Sequence, residues 1–142
     1  MFVIKPLRVL LVLDSLQDEA VILKSLRRGT YEPNARYAFT EDEFLFWLEE
    51  QPQLIICDEQ LYAFSGERAL QLLRQRSLDI PVVLLSKRKE ADPPVWATEL
   101  GAAACLPVRR LGRLDVVVPT LMRRRPVRTA PAPVAQPLRR AR

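Results

Sequence analysis

Five short apolar runs punctuate the chain, and amphipathic segments separate them. Residues 8–13 (RVLLVL) are β-rich and apolar on both faces, as in a strand covered on two sides. Residues 18–28 place Val21, Ile22, Leu23 and Leu26 on one helical stripe, and Gly29 follows as the expected C′ residue. ARYAF (35–39) reads as a second, weaker strand. Thr40 then opens TEDE, a capping box in which Thr40 caps and Glu43 reaches back; Phe44, Leu45, Trp47 and Leu48 form the buried stripe of that helix. LIIC (54–57) is the third strand and ends at Asp58. Ser65 caps a helix with Ala69, Leu72 and Leu73 inside.

IPVVLLS (80–86) is the fourth strand and ends at Ser86. KRKEADPP is a polar loop, from which Asp92 with Pro93 at the first helical position opens a short helix that Gly101 closes. AAACL (102–106) is a brief fifth strand. A last helix over about 111–124 carries Pro119, which costs ~3 kcal/mol or forces a kink. Strand–helix alternation repeated in this way predicts an α/β fold: a doubly wound parallel sheet of five strands with helices on both faces.

The composition fits one globular domain: 142 residues, 49% apolar and 27% charged. No apolar run approaches the ~20 residues that span a bilayer, and residues 1–8 lack the apolar segment and cleavage site of a secretory signal. Two cysteines are too few for a disulfide scaffold, so a reducing compartment, the cytoplasm, is expected. With no histidine, there is no Ser-His-Asp or Cys-His arrangement and no imidazole metal ligand.

The net charge of +5 changes its meaning once it is divided along the chain. Residues 123–142 hold seven Arg and no acid, which leaves fifteen basic residues against seventeen acidic ones over 1–122, a net of −2. The expected division is therefore a mildly acidic domain over 1–124 and a basic Pro/Ala/Arg-rich disordered tail over 125–142 with no fixed contacts to it. The tail is the one place where nucleic acid or an acidic partner would be met electrostatically, and it has no aromatic residue to stack on bases.

In a doubly wound sheet the ligand site lies at the carboxyl ends of the strands. Asp14, Asp58 and Ser86 end the first, third and fourth strands there. Strand-end residues of this kind also serve simply as helix caps. Two carboxylates meeting at one rim, however, attract a hard divalent cation such as Mg²⁺, and an Asp beside Mg²⁺ is a nucleophile toward a phosphoryl group.

The sequence resembles the receiver domain of two-component response regulators over about residues 7–124. RVLLVLDSLQDEAVILKSLRRG is similar to that family's first strand and helix. PQLIICDEQLYAFSGERALQLLR is similar to the segment around the phosphorylated Asp. DIPVVLLS is similar to the strand that ends in a switch hydroxyl, and ELGAAACLPVRRL to the fifth strand and the loop that normally carries a Lys. The resemblance implies a flavodoxin-like fold with strand order 2-1-3-4-5. It makes Asp58 the phosphoacceptor and Ser86 the switch hydroxyl. Asp14, Asp58 and the backbone carbonyl of Gln60 become the Mg²⁺ ligands. It further implies a sensor histidine kinase or other signalling protein as partner, no independent catalytic turnover, and a possible homodimer through the docking face of Val95, Leu100 and the last helix.

The departures from the family pattern are specific. Leu13 stands in place of the first acid, Val108 in place of the Lys, Cys105 in place of an aromatic and Tyr62 in place of a Pro. Losing an acid weakens Mg²⁺ binding or abolishes it, and losing the Lys removes a charge-assisted hydrogen bond worth about 1.5–3 kcal/mol. Lys87 and Arg88, after Ser86, partly replace that charge or else form a solvated basic loop.

Two readings follow: a phosphorelay receiver with no output domain, and a non-phosphorylated pseudo-receiver that acts only as a docking module. A dinucleotide-binding domain is excluded because DSLQDEA has no glycine and three acids; a nucleophile-elbow hydrolase is excluded because it needs a His. Cys57 and Cys105 are expected to be buried and reduced.

Overall fold

The structure, a computed structural model, describes residues 4–88 and 92–124. The expected tail, 125–142, lies outside the described residues. Five strands, β1 (Lys5–Val12), β2 (Tyr31–Tyr37), β3 (Leu54–Asp58), β4 (Val82–Ser86) and β5 (Ala104–Pro107), alternate with helices α1 (Leu16–Arg28), α2 (Glu41–Leu48), α3 (Gly66–Gln75), α4 (Val95–Glu99) and α5 (Leu114–Arg124). A 3-10 segment, Val108–Arg113, leads into α5. All neighbouring strands are parallel, in the order β2-β1-β3-β4-β5. The expected fold class and strand order are both present.

Strand side chains alternate between two apolar layers, because successive Cβ atoms point to opposite faces. Leu10, Val12, Ile55, Cys57, Val82 and Leu84 pack with residues of α2, α3 and α4. Leu7, Val9, Leu11, Leu54, Ile56, Val83 and Leu85 pack with Ile22 and Leu26 of α1 and Leu114 and Val118 of α5. Both faces are covered, which is why these strands read as unbroken apolar runs rather than as alternating ones.

Several boundaries differ from the sequence expectation, each for a local reason. β2 begins at Tyr31 rather than Ala35 and runs through Pro33, which an edge strand tolerates. On α1, Val21 is 43% exposed and Ser25 is buried instead. The Ser25 hydroxyl donates to the Gly112 carbonyl and accepts from the Asp115 N–H, a polar seam between α1 and α5 that an apolar stripe does not reveal.

Gly29 has φ −83°, and the left-handed residue is Thr30 at φ 70°. Glycine is needed at 29 for space, since a Cβ would lie 3.1 Å from the Asp115 carbonyl and 3.3 Å from Pro119 Cγ. α4 begins at Val95, with Pro94 before it and no side-chain cap. The tandem Pro93–Pro94 explains this, because a residue before proline is forced into extended backbone. The expected last helix, about 111–124, begins as the end of a 3-10 segment that runs to Arg113 and is α-helical only from Leu114, with Pro119 inside α5. The Thr40 box forms, with one difference: Glu43 accepts from the N–H of Phe39 rather than from that of Thr40.

Candidate functional site

Parallel pairing brings the ends of β1, β3 and β4 to one rim. Val12 is level with Cys57, and Asp58 with Leu85. Asp14 and Ser86 therefore lie just beyond Asp58 on the two flanking strands.

Asp58 is held tightly at this rim. The Glu59 N–H donates to the Leu85 carbonyl, the Gly66 N–H to the Glu59 carbonyl and the Leu61 N–H to the Phe64 carbonyl, so the β3–α3 connection is a closed turn. Ser65 caps α3 by accepting from the Arg68 N–H. Gly66 is required for space: a Cβ there would sit 2.6 Å from Leu84 Cδ2 and 3.2 Å from the Asp58 carbonyl.

The Asp58 side chain is 1% exposed, yet neither carboxylate oxygen has a hydrogen-bond partner among the described residues. An orphaned buried carboxylate is costly unless a cation or donor completes it. Burial pushes its pKa up to about 6; the charge of Lys87 opposes that rise, and the acids Asp14 and Asp18 add to it. At pH 7.5 it is mostly ionised.

A pocket of about 270 Å³ opens beside Asp58 and is lined by Asp58, Glu59, Gln60, Leu85, Lys87 and Arg88. The structure thus brings Asp58, Gln60 and Lys87 together. Asp14 is exposed at the same rim and acts on Asp58 through its charge, but it does not line this pocket. Ser86 is buried and also lies off the pocket wall; its Oγ accepts from the Arg88 N–H at 3.0 Å.

Leu13 is 4% exposed, its side chain sunk in the α1/α5 layer, where Val108 also packs. For a hard cation, the orphaned Asp58 carboxylate is a fitting donor, with Asp14 and the Gln60 carbonyl as further oxygens. Among the described residues no three acidic, thiol or imidazole side chains gather as a metal cluster.

Two residues of the site escaped the sequence reading. Asp18, on the first turn of α1, adds its charge to that felt by Asp58; a DxxxD spacing from Asp14 was the available signal. Glu59 pairs with Arg88, Nη2 to Oε2 at 2.9 Å, and accepts from the Cys105 thiol at 3.4 Å. Its only signal was adjacency to Asp58. Cys105, expected buried, is half-buried because β5 is an edge strand; burial and Glu59 push its thiol up to about 11. Cys57 is buried and both thiols are free, as expected.

No family model matches the sequence, and no curated protein matches it. Solved structures do. The signal receiver domain of a LuxO repressor protein from Vibrio parahaemolyticus is 27% identical, with 84% of this chain and 92% of that chain covered and a TM-score of 0.71. The fold is that of a response-regulator receiver domain.

A LuxR-family DNA-binding response regulator from Staphylococcus aureus (18% identical, TM-score 0.70, 81% and 98% covered) has the same receiver fold. So does the response regulator Rcp1, seen in a Mn²⁺-bound form (23% identical, TM-score 0.67, 89% and 100% covered). On the receiver fold, Asp58 stands at the end of the central strand, and no helix among the described residues is long and apolar enough to cross a membrane.

Proposed function

We propose that this chain is a receiver in a two-component phosphorelay and that Asp58 accepts the phosphoryl group. The observation that carries the reading is the Asp58 carboxylate: buried, without a hydrogen-bond partner, and beside an open pocket at the carboxyl rim. Asp58, Asp14 and the Gln60 carbonyl would hold a divalent cation, which when bound offsets the repulsion between the acceptor and the incoming phosphoryl oxygens. Among the described residues the Ser86 hydroxyl accepts from the Arg88 N–H and donates to none, so its own proton is left to donate to the new phosphoryl group. The domain carries out no turnover of its own in this reading. Its partners are a sensor histidine kinase or another cytoplasmic signalling protein, met in part through exposed Val95 on α4.

A second reading, the pseudo-receiver used only for docking, is favoured by Leu13 and Val108, two apolar side chains at positions where the family has an acid and a Lys. Incubation with acetyl phosphate and Mg²⁺, followed by intact-mass measurement, separates the two. One added phosphoryl group on the parent chain, absent from Asp58→Asn, supports the relay; no mass gain on the parent supports the pseudo-receiver.

A further inference from the structure

Two cations line the Asp58 pocket, and they are not equivalent. The Arg88 guanidinium is engaged at all three nitrogens: Nε donates to Glu59 Oε1 at 3.3 Å, Nη2 to Glu59 Oε2 at 2.9 Å and Nη1 to the Asp92 carbonyl at 2.6 Å. Lys87 lines the same pocket, is exposed, and makes no hydrogen bond or ion pair with any described residue. Arg109 and Arg110 follow Val108, but neither lines the pocket, and Val108 itself packs into the apolar layer of α1 and α5. Among the described residues the pocket therefore holds one buried carboxylate and one ammonium group that make no hydrogen bond, at and just beyond the ends of neighbouring strands.

We propose that Lys87, reaching in from the β4–α4 loop, is the cation that meets the phosphoryl oxygens at Asp58, in place of a Lys at the end of β5. This rests on the reading of Asp58 as acceptor. In the transfer, an Asp58 carboxylate oxygen forms a bond to phosphorus as the bond from phosphorus to the donor's acetate oxygen breaks. Acetate leaves with that electron pair, no proton moves, and the total charge is unchanged. The Lys87 ammonium stays protonated and donates to the equatorial oxygens, where charge-assisted hydrogen bonds are strongest. A flexible four-carbon stem suits this role, since the charge must follow an oxyanion that enters and leaves.

The test compares the parent chain with Lys87→Gln, Lys87→Arg and the double variant Lys87→Gln with Val108→Lys. Labelling by acetyl phosphate and Mg²⁺ is followed by intact mass. A second readout is titration with inorganic phosphate in EDTA, followed by the amide shifts of Asp58 and Ser86. The expected result is labelling about tenfold or more slower in Lys87→Gln, a rate near the parent's in Lys87→Arg, and recovery in the double variant; phosphate should shift the parent amides and leave those of Lys87→Gln unmoved. Recovery by a Lys placed just after β5 is an outcome that a merely structural role for Lys87 does not produce. Labelling of Lys87→Gln within twofold of the parent overturns this inference and leaves the acceptor reading intact. A parent that takes no label overturns the acceptor reading instead, and equal phosphate binding by the parent and Lys87→Gln then overturns this one as well.

Discussion

The Ser25 hydroxyl on α1 accepts a hydrogen bond from the Asp115 N–H at the start of α5, 3.1 Å away, and so caps a helix that is ninety residues distant in sequence. It also donates to the Gly112 carbonyl at 2.9 Å, and Arg28 of the same helix pairs with Asp115 at 3.3 Å. Replacing Ser25 with Ala leaves the Asp115 N–H unpaired in a buried seam, while the Gly112 carbonyl still accepts from Arg28 Nη2 at 3.2 Å. The expected cost is about 1–2 kcal/mol, read as a lower urea midpoint at unchanged slope.

Asp58 should make stability fall as pH rises. Its pKa in the folded chain, about 6, lies above the ordinary 3.8, so the folded state holds its proton more firmly than the unfolded state does. That contribution is fully present below about pH 4 and is lost as pH climbs through 6. Asp58→Asn removes the dependence. In the absence of divalent ions the variant should match the parent near pH 4 and be more stable at pH 7.5 by on the order of 2–3 kcal/mol. Equal stability of the two chains at pH 7.5 would refute the burial argument.

On the receiver reading, Leu13 and Val108 leave the rim one acid and one ammonium short, and replacing them should strengthen metal and anion binding. Leu13→Asp with Val108→Lys adds one carboxylate and one ammonium at the rim. Calorimetric titration should show tighter Mg²⁺ binding in the double variant, and acetyl phosphate should label it faster. Because Leu13 is buried, the same variant should melt lower without Mg²⁺ and recover on its addition.

The thiols should differ in reactivity. Cys57 is buried and burial raises its pKa; Cys105 is half-buried with its thiol near 11. A disulfide-exchange reagent should modify Cys105 slowly, faster at alkaline pH, and reach Cys57 only in denaturant. No bridge should form between them on oxidation: β4 lies between their strands, and two strand spacings of about 9–10 Å exceed the ~7 Å limit for a disulfide.

The fold was legible because burial on both sheet faces writes itself as apolar runs, and because Thr40 and Ser65 are side-chain caps with strong local preference. Asp14, Asp58 and Ser86 could be placed at one rim because strand ends and crossover rules fix where a chain turns. The misplaced features depend on distant partners. Ser25 looks like a polar interruption until α5 covers it. Gly29 looks like a C′ glycine until Pro119 is seen against it. The start of α4 lies later than an Asp-Pro signal implies, because Pro94 forbids Pro93 a helical conformation. Glu59 is an ordinary acid beside Asp58 in sequence, and only the meeting of the β3–α3 and β4–α4 loops pairs it with Arg88.

Gly66 ties α3 to the sheet. The seat of its first turn has Leu84 of β4 for one wall and the backbone of Asp58 and Glu59 for the other, and an added Cβ would meet Leu84 Cδ2 at 2.6 Å. That seat is made by β3 and β4 lying side by side. A side chain at 66 would press the helix away from both strands, and the turn that carries Asp58 would shift with it.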